Sequence, residues 1–265
     1  MKTVAVLIPS FKPGKHVERC FESLNKQTLD KEYFTVYIAL NGPREGYEDF
    51  LKETLRKYSF RFEYFYIPMA GVSNARNKLI EHSTEPYIVF LDDDDYVSEN
   101  YLQELVKEAL PKSIVVSNVY DVDEHSGELL ENYLGRCFEG LSKRETSKFR
   151  SREYFSTACA KIVPRYLISN VRFDNKLDLG EDSLFMAEIS SRVNLIIKSS
   201  AEACYYRILR SGSASRSKPN KIKELKRLFY LLKKYTGMLT KKKYERAFIV
   251  SRIVATLLHV RRFVG

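Results

Sequence analysis

The apolar positions of this chain fall first into short continuous runs and, towards the end, into helical stripes. Val4-Ala5-Val6-Leu7-Ile8 is an unbroken apolar run ending at Pro9-Ser10-Phe11. Phe34-Thr35-Val36-Tyr37-Ile38-Ala39-Leu40 is a second, closed by the turn signal Asn41-Gly42-Pro43. Between them, residues 16–27 place Val17, Cys20, Phe21 and Leu24 on one helical face. The alternation continues with a helix over 46–58, a strand over 61–67 stopped by Pro68, and a helix from Gly71 to about Ser83. Next comes the strand Tyr87-Ile88-Val89-Phe90-Leu91. Strands apolar on both faces and separated by helices predict βαβ units on a mainly parallel sheet, hence an α/β fold.

The second half is less regular. A helix over 99–110 ends at Pro111, and Ser113-Ile114-Val115-Val116-Ser117-Asn118-Val119-Tyr120 predicts one further strand. Residues 121–150 are polar and read as irregular, with a charged run over 142–152. Ala158–Val163, Val193–Lys198 and Ala203–Tyr206 read as strands, with a short helix over 164–169 and another over 182–190. From Pro219 the pattern becomes two amphipathic helices, about 220–236 and 241–262. Ile222, Leu225, Phe229 and Leu232, with Leu228 or Tyr235, share a stripe of the first; Phe248, Val250, Val254, Leu257 and Leu258 mark the second.

Four carboxylates, Asp92 to Asp95, follow the strand at 87–91 without a break. Adjacent like charges repel unless a cation or hydrogen-bond donors offset them. Open α/β sheets bind ligands beyond the carboxyl ends of their strands, which is where these acids fall. A hard divalent ion, Mg²⁺ or Mn²⁺, bridging carboxylates and substrate phosphates suits that place. A solvated acidic turn before a helix is the structural alternative, and Asp95 suits a cap of the following segment.

Charge changes the picture of the tail. The 265 residues carry a formal +10, and 13 Lys and Arg against 2 Glu give residues 219–265 a net +11. The preceding 218 residues are therefore close to neutral, and the basicity implies an anionic partner for the tail, membrane surface or nucleic acid. Packing of the apolar stripes on the body, with solvated lysines, is the structural alternative. Cys20, Cys137, Cys159 and Cys204 form no CxxC pair and imply reduced thiols in a cytoplasmic protein. No uncharged apolar stretch reaches the roughly 20 residues a membrane span needs, and the N-terminus runs into a strand instead of a signal-peptide pattern. His16, His82, His125 and His259 share no metal-ligand spacing, and no Walker A or GxGxxG motif occurs.

Six segments in order resemble the family-2 glycosyltransferases of GT-A fold: Ile8-Pro9-Ser10-Phe11, Leu40-Asn41-Gly42-Pro43, Gly71-Val72-Ser73-Asn74-Ala75-Arg76-Asn77, Phe90-Leu91-Asp92-Asp93-Asp94-Asp95, Leu179-Gly180-Glu181-Asp182, and Tyr205-Tyr206-Arg207 followed by Ser211-Gly212-Ser213. The resemblance covers about 1–215 and implies a catalytic domain over 1–218, with a nucleotide-binding half (1–110) and an acceptor half (111–218). A helical tail over 219–265 follows. It implies a Rossmann-like mixed sheet flanked by helices, and an inverting, metal-dependent transfer from a nucleotide-sugar, UDP-linked by expectation. The acceptor would be a hydroxyl of a glycan or lipid-linked glycan in bacterial surface polysaccharide synthesis.

By the same resemblance Asp94 is the direct metal ligand, with Asp92 facing the ribose or the metal's waters. Pro9, Ser10, Phe11, Asn41, Arg76, Asp92 and Asp93 would line the donor site. Asp182 would be the base, and Glu181, Arg207 and Ser213 would serve the acceptor and diphosphate loop. Asn41 departs from the aspartate usual at its position, although its amide oxygen still accepts a hydrogen bond from uracil. The resemblance together with the tail's charge implies a peripheral place on the inner face of the cell membrane. Two rivals stand beside this reading. A sugar-nucleotide nucleotidyltransferase would need a glycine-rich basic loop, of which Pro9–Gly14 is a poor version. A nucleic-acid-binding protein would rely on the tail alone, while the acids of the body repel phosphate; no nucleic acid is expected.

Overall fold

The structure, a computed structural model, describes residues 2–209 and 220–264, with side chains up to residue 260. The apolar runs become strands β1 (Val4–Ser10), β2 (Phe34–Asn41), β3 (Arg61–Ile67) and β4 (Tyr87–Phe90). Helices α1 (His16–Asn25), α2 (Tyr47–Leu55) and α3 (Val72–His82) link them. β1 pairs in parallel with β2 on one side and β4 on the other, and β2 with β3. Every residue of β1 is buried. That is why the run carries no polar alternation: helices cover both faces of the sheet.

The chain order reverses between β1 and β4, so a crevice opens beyond the carboxyl ends of these two strands. The remaining elements are β5 (Tyr96–Val97), α4 (Tyr101–Glu108), β6 (Ser113–Val116), β7 (Asn118–Asp123), β8 (Leu129–Glu131), α5 (Tyr133–Gly140), β9 (Arg144–Glu145), β10 (Lys161–Pro164), α6 (Arg165–Ile168), α7 (Glu181–Ser190), β11 (Leu195–Lys198) and β12 (Cys204–Leu209). Among the described residues the main sheet runs β3-β2-β1-β4-β10-β6-β11-β9, with β10 antiparallel to both neighbours, so the sheet is mixed.

Three features depart from the sequence pattern. The run 113–120 is two strands. It breaks at Ser117, whose N–H donates to the Ala160 carbonyl, and β7 joins a second sheet ordered β5-β12-β7-β8. The stretch read as irregular contains α5, which Asn132 caps by accepting from the N–H groups of Leu134 and Gly135. The tail forms α8 (Lys221–Leu239) and α9 (Arg246–Val264), with Lys241–Lys243 in the link between them.

Both tail helices pack on the body. Leu228, Leu231, Tyr235, Met238, Phe248 and Ile249 are buried, and the Phe248 ring lies 5.1 Å from that of Phe155. Glu245, just ahead of α9, accepts from the N–H groups of Lys148 and Phe149. The buried face of α8 lies beside the stripe expected from the sequence, for Ile222 and Phe229 stay exposed.

Candidate active site

A cavity of about 600 Å³ occupies the crevice, lined by the ends of β1, β2 and β4, the start of α3, residues 175–179 and the start of α7. It gathers Pro9, Phe11, Asn41, Arg76, Asp92, Asp93, Asp94, Glu181 and Asp182 from five segments of the chain. Ser10, buried at the end of β1, donates from Oγ to Asp93 Oδ2 at 2.6 Å. His16 Nε2 stands 3.7 Å from the same oxygen. The Phe11 ring is half exposed at the rim and lies against Gly42, where a Cβ would come within 2.8 Å of it.

Arg76 organises the acids. It is 3% exposed and stands 5.3 Å above the Phe173 ring. Its Nη1 donates to Asp182 Oδ1 at 2.6 Å and its Nη2 to Asp92 Oδ1 at 2.8 Å, with Glu181 Oε1 at 3.6 Å. An ammonium could not serve two carboxylates this way, because the planar fork fixes two directions at once. Asp182 Oδ2 accepts the Ala158 N–H at 3.0 Å, so both oxygens of Asp182 are oriented. A carboxylate has about four lone-pair sites, which leaves acceptor capacity for an incoming hydroxyl. Burial, then the charge of Asp182, pushes the Glu181 carboxyl up to about 7.

The other predicted residues are placed as follows. Asn41 is buried; its amide donates to the Ser10 carbonyl at 2.7 Å and its Oδ1 accepts the Gly71 N–H at 2.9 Å. It therefore ties the ends of β1 and β2 to the first turn of α3. Asp95 does not cap the next segment. It is buried, and it accepts from the Tyr205 hydroxyl at 2.6 Å and the Ile208 N–H at 2.9 Å, which joins the two sheets; burial pushes its carboxyl well up. Arg207 does not reach the cavity, because its guanidinium makes a two-pronged pair with Asp121 at 2.7 and 2.8 Å beside the Tyr133 ring. Ser213, with the loop expected around it, lies outside the described residues.

Sequence reasoning missed Lys161. This fully buried amine on β10 donates to the carbonyls of Thr157 and Cys159 at 2.6 and 2.5 Å, and burial lowers it to about 7. It thereby shapes the loop whose Ala158 N–H holds Asp182. A lysine within the apolar run 158–163 was the available signal.

Among the described residues no three acidic, His or Cys side chains converge into an all-protein metal cage. An ion that bridges substrate phosphates needs only one or two carboxylates. Asp92 and Asp94 offer hard oxygens on the cavity wall, and Arg76 engages Asp92 through Oδ1. The donor set fits such an ion.

The profile of Glycosyl transferase family 2 matches residues 5–169, more than half of the chain. The chain belongs to this family. It is 25% identical over 224 residues to glycosyltransferase GlyA of Streptococcus pneumoniae, covering 80% of this chain and 31% of that protein. It is 27% identical over 225 residues to the minor teichoic acid biosynthesis protein GgaB of Bacillus subtilis, covering 80% and 23%. The chain thus spans less than a third of the length of these two relatives. The crystal structure of residues 1–349 of Staphylococcus aureus TarS in complex with UDP-GlcNAc superposes with a TM-score of 0.77 at 18% identity, covering 96% of this chain and 71% of that one. The fold of this family-2 chain is therefore GT-A.

Proposed function

We propose that this protein transfers a sugar, with inversion, from a UDP-sugar to a hydroxyl of a glycan or lipid-linked acceptor in surface polysaccharide synthesis. The observation that carries this reading is the convergence of Asp92 and the Glu181–Asp182 pair on one buried guanidinium at the sheet's switch point. UDP-GlcNAc bound to TarS supports the donor class, and the name of GgaB supports the acceptor class.

Asp94 and Asp92 would hold a divalent cation, Mn²⁺ or Mg²⁺, which would supply Lewis-acid neutralisation of the leaving diphosphate. A protein of the same fold, the Pyrobaculum calidifontis mannosyltransferase PcManGT, was solved in complex with GDP-Man and Mn²⁺; it has a TM-score of 0.62 at 12% identity, covering 99% of this chain and 75% of that one. Phe11 and Pro9 pack on the base and ribose. Asn41 Oδ1, already holding Gly71, keeps a second lone pair for the imide of uracil. Ser10 fixes Asp93 for the ribose hydroxyls. Asp182, oriented through both oxygens, takes the proton of the attacking hydroxyl. Glu181 lies beside the acceptor, and Arg76 keeps the base and Asp92 at a set separation.

The outer faces of α8 and α9 rest on an anionic leaflet at the inner face of the cell membrane. Ile222, Phe229, Val250, Val254, Leu257 and Leu258 are exposed on these helices, in a segment that carries 13 Lys and Arg. No helix among the described residues is long and apolar enough to cross a membrane.

Calorimetry with UDP and Mn²⁺, together with UDP release from a panel of UDP-sugars, tests the catalytic reading. Asp94→Ala is expected to lose metal-dependent UDP binding. Asp182→Asn is expected to bind UDP normally while turnover falls by about 10³-fold. Full turnover in Asp182→Asn would remove it as the base.

A further inference from the structure

The segment from Asp174 to Ser183 supplies one wall of the cavity and delivers Glu181 and Asp182 to the first turn of α7. Up to Gly180 it has no helix or strand of its own. Its support comes from α8. Arg227 Nη1 donates to the Leu179 carbonyl at 2.9 Å. Gly180 is left-handed (φ +82°), and a Cβ there would stand 3.1 Å from both Arg227 Nη1 and Leu231 Cδ1, so α8 rests directly on its backbone. One turn on, the hydroxyls of Ser183 and Tyr235 are 3.0 Å apart. Upstream, Tyr230 donates to Asp174 at 2.5 Å, and Lys223 pairs with Asp178. Arg227 is itself held, forked onto the buried carboxylate of Glu224.

Asp182 is fixed at its carboxylate by Arg76 and Ala158. Its backbone follows a glycine, a residue that enters left- and right-handed regions with similar ease. The Leu184 N–H holds the Gly180 carbonyl from the helix side, and the contact with Arg227 and Leu231 closes off the other side of the residue. We infer that α8 is the third support of the Glu181–Asp182 pair, and that Arg227 is a positioning residue for Asp182, acting through the Leu179 carbonyl and the turn at Gly180. This rests on Asp182 being the base. The basic tail is then part of the catalytic architecture: without Arg227 the first turn of α7 swings, and displacements near 1 Å cost up to about 100-fold in rate.

The test uses the full chain with Mn²⁺ and UDP-sugar donors, and reads UDP release, UDP affinity and hydrogen exchange. Arg227→Ala is expected to lower kcat roughly 10- to 100-fold while donor KM and UDP affinity stay within about twofold, with partial recovery in millimolar ethylguanidinium. Amides of 174–184 are expected to exchange about tenfold faster in the variant while those of β1 are unchanged. Tyr235→Phe, which keeps the ring and loses only the hydroxyl contact, is expected to show the same pattern at about threefold, and it decides the matter should Arg227→Ala fail to fold. Unchanged exchange over 174–184, or a kcat loss matched by an equal loss of donor affinity, overturns the inference. A wild-type chain that releases no UDP from any donor sinks the transferase reading instead, and the exchange result still decides whether α8 holds the wall.

Discussion

Arg76 shows how one buried residue sets the chemistry of its neighbours. A guanidinium with three carboxylates around it keeps its charge despite burial, since removing the proton would leave those acids uncompensated. Burial, then the charge of Asp182, displaces Glu181 towards its neutral form, and Arg76 at 3.6 Å offsets this only in part. Its carboxyl, pushed up to about 7 from an ordinary 4.5, holds a proton in the folded state that the unfolded chain has already lost. Stability from this group is therefore undiminished below about pH 4.5, falls as pH rises towards 7, and stays reduced above it. Glu181→Gln removes the titration. Its melting temperature is expected to equal the wild type's near pH 4.5 and exceed it at pH 8, less whatever the 3.6 Å contact with Arg76 supplies. Parallel melting curves over that range would refute the assignment. The acids and Arg76 were legible in the sequence because each abuts a strand or helix signal. What each one touches was not legible. The Ala158 N–H on Asp182 and the Lys161 amine on the Thr157 carbonyl arise from packing that no local pattern encodes.

At the scale of elements, the crevice exists because β1 and β4 diverge in chain order, and turns at their ends keep it open. Gly42 follows β2 at φ +99° with its N–H on the Ile67 carbonyl, a conformation that strains any side chain. The Phe11 ring fills the space a Cβ would take. Gly42→Ala is thus expected to cost about 1–2 kcal/mol of stability and to push Phe11 off its seat. Phe11→Ala isolates the second effect: UDP affinity is expected to fall roughly tenfold by calorimetry, in line with base stacking on an aromatic ring. Unaltered affinity in Phe11→Ala would place that ring outside the donor site. The strands and helices of the first hundred residues followed from their periodicity. The second sheet did not, because the apolar run 113–120 gives no sign of the step at Ser117 by which it changes sheets. β5 and β9, two residues each, are too short to leave a period.

For the whole molecule, the distribution of charge matters more than its total. A near-neutral body carries a strongly basic helical pair whose inner face grips the catalytic wall through Arg227 and Tyr235. Its outer face presents Val254, Leu257 and Leu258, each about half exposed. Apolar side chains left in water on a helix that already has a buried face indicate a second surface to cover. The net +11 of residues 219–265 favours an anionic one, at about 1 kcal/mol for each near-surface cation. Docked this way, α8 and α9 would hold the cavity at a fixed height above the leaflet, where a lipid-linked acceptor presents its sugar. Vesicles of phosphatidylglycerol are expected to sediment the protein, with binding that weakens as salt rises, whereas phosphatidylcholine vesicles leave it in solution. The double substitution Leu257→Glu with Leu258→Glu is expected to reduce vesicle binding by at least about tenfold, since it removes two buried apolar groups and adds two repelled charges. UDP affinity should be unchanged, because these residues do not line the cavity. Equal sedimentation on both lipids, or undiminished binding by the double variant, would show that this face serves something other than a membrane.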